Sequence, residues 1–325
     1  MRALVTGATG FVGTHLVEAL LRQGHEVTAL VRSPEKAERL LDPGARRVRG
    51  DLRDEKALAE AVEGQEVHFH VAGLVKARGE AEFLEVNREG TRRLLEAAGG
   101  RRGGPRFVLV SSMAAGGPTA PGLRQTGQES PRPVTLYGRS KLAAEEVVRR
   151  GPLPWTILRP PMVYGPRDVE VLKVFRICRL GVAPVFGTGT QELSAVYGPD
   201  LAEALVAAAG AESTLGSVYS PCHPELFTSE ELVLAVGRTL GRRVRILYMG
   251  EGLARGVLGL TELSARLLGR ATLLTRDKAH EFFAPAWTGD PRPLEADSGW
   301  SARHDLASGL AATAAWYRNE GWIGT

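Results

Sequence analysis

The chain has 325 residues, of which 43% are hydrophobic and 24% are charged, and its formal net charge is +4. Such values are ordinary for a globular protein with one large domain or two unequal ones. The two cysteines, Cys178 and Cys222, are too few for a disulfide framework, and no Cys/His set has the spacing of a zinc site, so no metal is expected. The arginines are scattered among acidic residues, as in RDEKALAEAVEG. This pattern argues against nucleic-acid binding and leaves the mild positive charge to attract an anionic cofactor or substrate.

No export signal or membrane span is predicted. Met1 is followed almost directly by an apolar strand rather than by a signal peptide, so a cytoplasmic location is expected. The most apolar stretch covers residues 252–275. Four charged residues interrupt it: Arg255, Glu262, Arg266 and Arg270. They exclude a bilayer span and predict an amphipathic helix packed on the protein's own core, with contact to a membrane or a partner left open.

In the first half, short β-branched runs alternate with helical patterns. RALVT predicts the first strand, Phe11 to Gln23 a helix, HEVTALVR a second strand and AERLL a second helix. Further strands are predicted at RRVRGD, EVHFHVAG, RFVLVSS and WTILRPP, separated by helical stretches such as REGTRRLLEAAGG. Apolar strands that alternate with helices indicate an α/β fold with a doubly wound parallel sheet.

The alternation weakens after RPPMVYGPRD, where only GSVYSP predicts another strand. We expect residues 1–164 to form the main domain, with 196–221 returning to it, and residues 165–195 and 222–325 to form a smaller, discontinuous substrate-binding lobe. A segment rich in Pro, Gly, Gln and Thr, residues 116–133, is expected to be a mobile loop.

The segment TGATGFVG places Gly7, Gly10 and Gly13 between the first strand and the first helix. Glycines there allow a tight turn and let backbone amides approach a pyrophosphate, which the helix N-terminus stabilises. Because a βαβ pattern follows, the motif predicts a dinucleotide-binding Rossmann domain, with a purely structural turn as the alternative.

Several motifs in order extend this signal: TGATGFVG, GDLRD, VAG, VNREGT, VSSMA, YGRSK, LRPPMVYGP and the closing GWSARHDLASGLAATAAWYRNEGW. Over nearly the whole chain the sequence resembles the extended short-chain dehydrogenase/reductase superfamily (the NAD-dependent epimerase/dehydratase family), nearest in pattern to dihydroflavonol reductases and 3β-hydroxysteroid dehydrogenases. The resemblance implies that Asp51 and Leu52 bracket the adenine and that Ala72 and Gly73 line the path past the ribose. The remaining implied cofactor contacts are Thr9, Phe11, Val12, Pro160 and Val163.

The end of the second strand indicates which dinucleotide is bound. Rossmann folds that prefer NAD place an acid there, which accepts hydrogen bonds from the ribose hydroxyls. This chain has Arg32 and Ser33 instead, and an arginine makes a charge-assisted contact with a 2′-phosphate, with Lys36 as support. The sequence therefore favours NADP, with a solvated strand-end arginine as the alternative.

Tyr137 and Lys141 lie four residues apart and share one face if their segment is a helix. A free phenol has a pKa of about 10, and a nearby ammonium lowers it towards the range in which a general acid–base works well. Lys141 would also hydrogen-bond the nicotinamide ribose. The pair therefore predicts a tyrosine that transfers a proton and a lysine that tunes it.

Ser112 follows the RFVLVSS strand, at the edge where open α/β sheets bind ligands. Its hydroxyl would donate to a substrate carbonyl oxygen, and the resemblance favours it over Ser111, with a strand-end turn serine as the alternative. By the same resemblance Asn87 orders its helix and a water near the lysine, although an ordinary helix N-cap is also open. His68 and His70 are predicted to point the same way into packing and receive no catalytic role.

These residues predict an NADP-dependent oxidoreductase that moves a hydride between nicotinamide and a ketone or secondary alcohol. A nucleotide-sugar epimerase with tightly bound NAD is one alternative, opposed by Arg32. A sugar dehydratase would need an Asp-Glu pair where this chain has Met113 and Ala114. A non-catalytic dinucleotide-sensing or assembly protein is a further alternative, opposed by the presence of both Tyr137 and Lys141.

The second lobe predicts the kind of substrate. Its apolar character indicates a bulky, largely apolar small molecule, and a homodimer is left open. The residues that carry this prediction are Val163, Tyr164, Leu172, Phe175, Phe186 and the stretch Leu253–Leu274.

Overall fold

The computed structural model describes residues 1–99, 104–268, 271–273 and 275–324. Within these ranges the strands are β1 (Arg2–Thr6), β2 (Glu26–Val31), β3 (Arg46–Arg49), β4 (Val67–His70), β5 (Arg106–Val110), β6 (Trp155–Leu158), β7 (Met162–Tyr164), β8 (Val182–Phe186), β9 (Glu192–Leu193), β10 (Ala195–Tyr197), β11 (Ser217–Tyr219), β12 (Phe227–Thr228), β13 (Arg245–Met249) and β14 (Ala286–Trp287). The helices are α1 (Phe11–Arg22), α2 (Pro34–Leu40), α3 (Glu55–Val62), α4 (Glu80–Phe83), α5 (Gly90–Ala98), α6 (Met113–Gly116), α7 (Leu136–Arg150), α8 (Val171–Cys178), α9 (Gly198–Gly210), α10 (Ser229–Thr239), α11 (Glu251–Leu267), α12 (Ala279–Phe282), α13 (Arg292–Ser298) and α14 (Leu306–Asn319). A π-helical segment, Leu84–Glu89, joins α4 to α5, and a 3-10 turn, Glu212–Thr214, follows α9.

One parallel sheet organises the first part of the chain. Its strand order is β11-β6-β5-β4-β1-β2-β3, and every neighbouring pair in it is parallel. The order changes direction between β1 and β4, where Thr6 lies opposite His70. Ligands bind beyond the carboxyl ends of the strands at such a switch point. The predicted doubly wound α/β fold is confirmed.

The two faces of this sheet are covered by different helices. Alternate side chains of a strand point to opposite faces, so Ala3 and Val5 of β1 enter one core and Leu4 enters the other. The first core also contains residues of α1 and α9, among them Leu16, Leu20, Leu201 and Leu205. The second contains residues of α3, α5 and α7, among them Leu58, Leu94 and Val148. Burial on both faces explains why these strands are almost continuously apolar.

A third core lies in the second part of the chain. It is built mainly from α8, α10 and α14, with Phe175, Val236 and Leu310 fully buried in it. Short strands accompany it: β7 pairs with β10, β8 with β13, and β9 with both β12 and β14. The sequence predicted only β11 here, because strands of two to five residues with distant partners leave little periodic pattern. β11 and α9 belong to the main sheet and its first core, while the division into domains stays a prediction.

The loop of residues 116–133 is held in place, contrary to the expectation of a mobile segment. The backbone of Thr119 donates to Ala286 at 3.0 Å, and that of Gln125 donates to Thr288 at 2.9 Å. The Gln125 carbonyl in turn accepts a bond from Asp290 at 2.8 Å. Its Pro and Gly content excludes regular structure, but it does not prevent the backbone from pairing with the distant segment around β14.

α11 covers most of the stretch that looked most membrane-like. Ala254 and Leu258 are buried, whereas four apolar residues on another side are exposed: Leu253, Val257, Leu260 and Leu263. Arg270 and Leu274 lie outside the described residues. Among the helices that the structure describes, none combines the length and the apolar character needed to cross a bilayer.

Candidate active site

The glycine motif forms a turn between β1 and α1 that tolerates no larger residue. Gly7 has φ of 70°, and a Cβ on it would lie 2.6 Å from the Ala72 nitrogen. A Cβ on Gly13 would lie 2.1 Å from the Gly7 carbonyl oxygen. α1 begins after Gly10 with no side-chain cap and no acidic residue in its first turn, so its first N–H groups face outward. A close backbone approach with an open helix N-terminus fits a pyrophosphate.

A cavity of about 780 Å³ extends from this turn along the carboxyl ends of the strands. Of the residues predicted to bind the cofactor or act in catalysis, all but Asn87 line it: Gly7, Thr9, Gly10, Phe11, Val12, Gly13, Arg32, Lys36, Asp51, Leu52, Ala72, Gly73, Ser112, Tyr137, Lys141, Pro160 and Val163. A volume of this size suits an organic ligand, and the groove reaches from the glycine turn to the tyrosine. The fold thus brings together residues that lie more than 150 positions apart.

One end of the cavity is basic. Arg32 follows β2 directly and is exposed at the mouth, and Ser33 caps α2 by accepting a bond from the Lys36 nitrogen at 3.2 Å. The carboxylate of Asp51 accepts a bond from the Arg53 nitrogen at 2.8 Å. Arg53 also lines the cavity and was not predicted. This end therefore presents several cations to whatever occupies it.

Tyr137 and Lys141 lie on α7, whose N-cap Thr135 accepts a bond from the Gly138 nitrogen at 3.2 Å. The Lys141 ammonium donates to the Val110 carbonyl at the end of β5, at 2.7 Å. The Ser112 side chain, just beyond that strand, lies close enough to the Tyr137 phenol to lower its pKa. The predicted helical face is therefore present and points at the end of β5.

The charge properties of the pair differ from the expectation. Burial raises the pKa of Tyr137 to about 12, although the Ser112 side chain opposes this, and the Glu281 carboxylate raises it further. Burial also lowers the pKa of Lys141 to about 8, opposed by the Glu145 carboxylate. The pKa of Tyr137 is therefore raised rather than lowered as expected, because loss of hydration dominates both groups.

Ser111 has a partner of its own on the other side of the strand. Its hydroxyl donates to Glu145 at 2.5 Å. Arg159 donates to the two oxygens of the same carboxylate at 2.8 and 2.7 Å, and both side chains of this ion pair are almost completely buried. The Ser111 hydroxyl is thus occupied by this pair, while the Ser112 hydroxyl faces Tyr137.

Asn87 lies inside the π-helical segment and caps no helix, so the N-cap alternative is wrong. Its side-chain oxygen accepts a bond from the Leu74 nitrogen at 2.7 Å, and its amide donates to the Leu74 carbonyl at 3.1 Å and to the Ser140 hydroxyl at 2.8 Å. Ser140 in turn donates to the Tyr137 carbonyl at 2.8 Å. Asn87 therefore ties the loop after Gly73 to the first turn of α7.

His70 continues this network towards β1. Its two ring nitrogens lie 2.7 Å from the Thr6 hydroxyl and 3.0 Å from the Thr91 hydroxyl. Thr91 donates to the Asn87 carbonyl at 2.6 Å, so its oxygen is left to accept from His70. A buried chain of hydrogen bonds therefore runs from the strand before the glycine turn to the helix that carries Tyr137. His68 is buried as well, and burial lowers its pKa to about 4.

Most of the residues expected to contact a substrate lie outside the cavity wall. Tyr164 on β7 and both Leu172 and Phe175 on α8 are buried in the third core, with residues of α10 and α14, rather than in the cavity wall. Phe186 stacks on Phe282 at a ring distance of 4.5 Å. Of that set, Val163 and a member of the later stretch, Leu273, line the cavity.

Other wall residues were missed because they come from separate segments without a motif. The unpredicted apolar ones include Leu74, Val75, Val86 and Val169. Asp168, in the RPPMVYGPRD segment, also lines the cavity, and burial raises its pKa to about 6. Lys278 completes this end, its ammonium lying 5.4 Å from the centre of the Tyr137 ring.

The described residues contain no group of three or more His, Cys, Asp or Glu side chains that could hold a metal ion. Cys178 and Cys222 are buried thiols, not bonded to each other.

Comparison with known proteins defines the class to which this fold and site belong. The model of the NAD dependent epimerase/dehydratase family matches residues 3–221. The chain therefore belongs to this family, the extended short-chain dehydrogenases/reductases, and is an oxidoreductase of a class that binds NAD(P).

Two sequence relatives and one solved structure show the kinds of protein to which this chain is similar. The ceramide reductase of Caulobacter vibrioides is 33% identical over 321 residues, which cover 98% of this chain and 95% of that protein. A 3-beta-hydroxysteroid dehydrogenase of Mycolicibacterium neoaurum is 33% identical over 225 residues, covering 64% of this chain and 60% of that protein. Among solved structures, MoeE5 in complex with UDP-glucuronic acid and NAD has a TM-score of 0.78 and 26% identity, covering 98% of this chain and 100% of that one.

Proposed function

We propose that the protein is an NADP-dependent reductase of ketones on bulky, largely apolar molecules. The observation that carries this proposal is one cavity that joins the glycine turn, the basic end at Arg32 and the group Ser112, Tyr137 and Lys141. When bound, a nicotinamide dinucleotide supplies the hydride. The chain's own residues have to hold the ketone, polarise it and deliver a proton.

Three side chains are suited to these tasks. The Ser112 hydroxyl donates a hydrogen bond to the ketone oxygen, where negative charge develops. The Tyr137 phenol then gives its proton to the same oxygen, and Lys141 holds the ribose and supports the phenolate that results. Asn87 acts as a positioning residue, because it holds the Leu74 loop and the first turn of α7 together.

The nature of the substrate is inferred from the cavity wall and from similarity. Val75, Val169 and Leu273 offer apolar surface in the wall of the cavity that Tyr137 also lines. The similarity to a ceramide reductase over nearly the full length of both proteins supports a long-chain substrate. We assign residues 165–195 and 222–325 to the substrate side on the same grounds.

A nucleotide-sugar epimerase is the second candidate, favoured by the similarity to MoeE5 with UDP-glucuronic acid and NAD. Arg32 opposes it, because it takes the place of the acid that would bind the NAD ribose.

Measurement of NADPH oxidation with a panel of substrates distinguishes the reductase from the epimerase. Long-chain ketones, including ketones of the ceramide type, are expected to be reduced with one equivalent of NADPH consumed, and Tyr137→Phe is the matched inactive control. Isomerisation of a UDP-sugar without net NADPH consumption would contradict the proposal.

A further inference from the structure

The segment of residues 275–283 packs against the N-terminus of α7, next to Tyr137. The Asp277 carboxylate accepts a bond from the Leu136 nitrogen at 3.0 Å. The Glu281 carboxylate accepts a bond from the Thr135 hydroxyl at 2.7 Å. Two acids thus complete the cap of this helix, so the distant segment fixes where the first turn of α7, and with it the tyrosine, lies.

The same segment places a cation on the tyrosine ring. The Lys278 ammonium lies 5.4 Å from the ring centre and lines the cavity, while its other partner is the second oxygen of Glu281. Both side chains are mostly buried, at 21% and 14% exposed. A mostly buried ion pair therefore lies beside the Tyr137 ring, with its cation over the ring.

We propose that Lys278 stabilises the Tyr137 phenolate that forms when the proton leaves, and that Glu281 limits this effect while it anchors Lys278. The inference rests on the proposed role of Tyr137 as proton donor. It adds a second lysine, from the far end of the chain, to the one on α7. Neither residue belongs to a motif of the sequence, and both act through the tyrosine.

The charge of each side chain determines whether it raises or lowers the pKa of Tyr137. A cation near the ring favours phenolate and an anion opposes it. Consistent with this, Glu281 raises the pKa of Tyr137. Groups from every element packed around Tyr137 belong to its surroundings. α7 supplies Lys141, the turn beyond β5 supplies Ser112, and α4 supplies Phe83, whose ring is 6.0 Å away, and the Glu80 that pairs with Arg139 of α7. The segment of residues 275–283 supplies Asp277, Lys278 and Glu281.

Two substitutions test these opposite signs. Lys278→Met is expected to raise the titration midpoint of Tyr137, and Glu281→Gln to lower it by about one pH unit. The Gln side chain retains an oxygen for the Thr135 hydroxyl, so α7 keeps its cap. Lys278→Arg should restore the wild-type midpoint, and Lys56→Met, which removes an exposed lysine on α3, serves as the matched control.

The readout is ¹³C NMR of ring-labelled tyrosine, with the Tyr137 signal assigned by its loss in Tyr137→Phe. The high-pH limb of kcat for ketone reduction is expected to move in the same directions. Unchanged midpoints and limbs in both variants, or shifts of the same sign, would overturn the inference. Retention of full turnover by Tyr137→Phe would instead overturn the proposed function.

Discussion

At the scale of single residues, Lys141 is proposed both to bind the cofactor ribose and to support the Tyr137 phenolate, and these two roles can be measured separately. It contacts the end of β5 from α7 and faces the cavity, and burial lowers its pKa to about 8. Because its ammonium is the group that would bind the ribose, wild-type affinity for NADPH should fall as the pH rises through about 8. Lys141→Met should bind NADPH more weakly, with no such pH dependence.

The matched control for this prediction is Tyr137→Phe, which removes a hydroxyl and leaves the lysine in place. It should keep both the affinity of the wild type and its pH dependence. Calorimetric titration with NADPH from pH 6 to about 9.5 measures all three proteins. Equal affinities of Lys141→Met and wild type across that range would show that the lysine does not contact the cofactor.

Arg32 is the residue that we propose to determine the choice between NADP and NAD. It lies at the cavity mouth beyond β2, with Lys36 in the first turn of α2. A hydrogen bond to a charged group contributes about 1.5–3 kcal/mol, so Arg32→Asp should weaken NADPH binding by roughly tenfold or more and spare NADH. Arg39→Asp, an equal charge change at an exposed position of α2 outside the cavity, is the control. Equal wild-type affinities for NADPH and NADH would refute the assignment.

At the scale of elements, the hydrogen bonds between β1, β4 and α5 define the state of His70. The Thr91 hydroxyl donates its hydrogen bond to the Asn87 carbonyl. The His70 ring must therefore donate from Nε2 to the Thr91 oxygen and accept at Nδ1 from the Thr6 hydroxyl. Burial, with a smaller effect of Lys141, lowers the pKa of this histidine to about 3. Nitrogen NMR should therefore show a neutral ring with the proton on Nε2 throughout the stable pH range.

Thr91→Val tests the same network through stability. It leaves a buried ring donor without a partner, which costs about 1–3 kcal/mol of unfolding free energy, whereas Thr91→Ser keeps the hydroxyl and should cost less. A His70 ring that titrates near pH 6.5, or carries its proton on Nδ1, would show that the chain of bonds is assigned wrongly.

Elements also show what the sequence could and could not predict. The strands of the main sheet and the Tyr137–Lys141 face follow from local apolar patterns and spacing. The π-helical segment around Asn87 and the anchoring of residues 116–133 do not, because both depend on partners far away in the chain. The Pro and Gly content correctly predicted a loop, but composition gives no information about the backbone hydrogen bond from Thr119 to Ala286.

At the scale of the whole molecule, the cavity lies at the carboxyl ends of the main-sheet strands, and later segments add Asp168, Val169, Leu273 and Lys278 to its wall. Apolar residues after position 163 were expected to contact substrate, yet Tyr164, Leu172 and Phe175 form that core instead. Composition identifies apolar residues but not the direction in which they point. For the same reason the sequence did not predict that Lys278 lies near Tyr137. Lys278 reaches the tyrosine because residues 275–283 pack against the N-terminus of α7.

The central claim is that the protein moves a hydride from NADPH to a ketone while Tyr137 gives the proton. Mass spectrometry of the product made with NADPH deuterated at both C4 positions measures this directly. One deuterium should appear on the new carbinol carbon for each NADPH oxidised, and Tyr137→Phe should slow its appearance by about 10²–10⁴-fold. A product without deuterium, or an undiminished rate in Tyr137→Phe, would contradict the account.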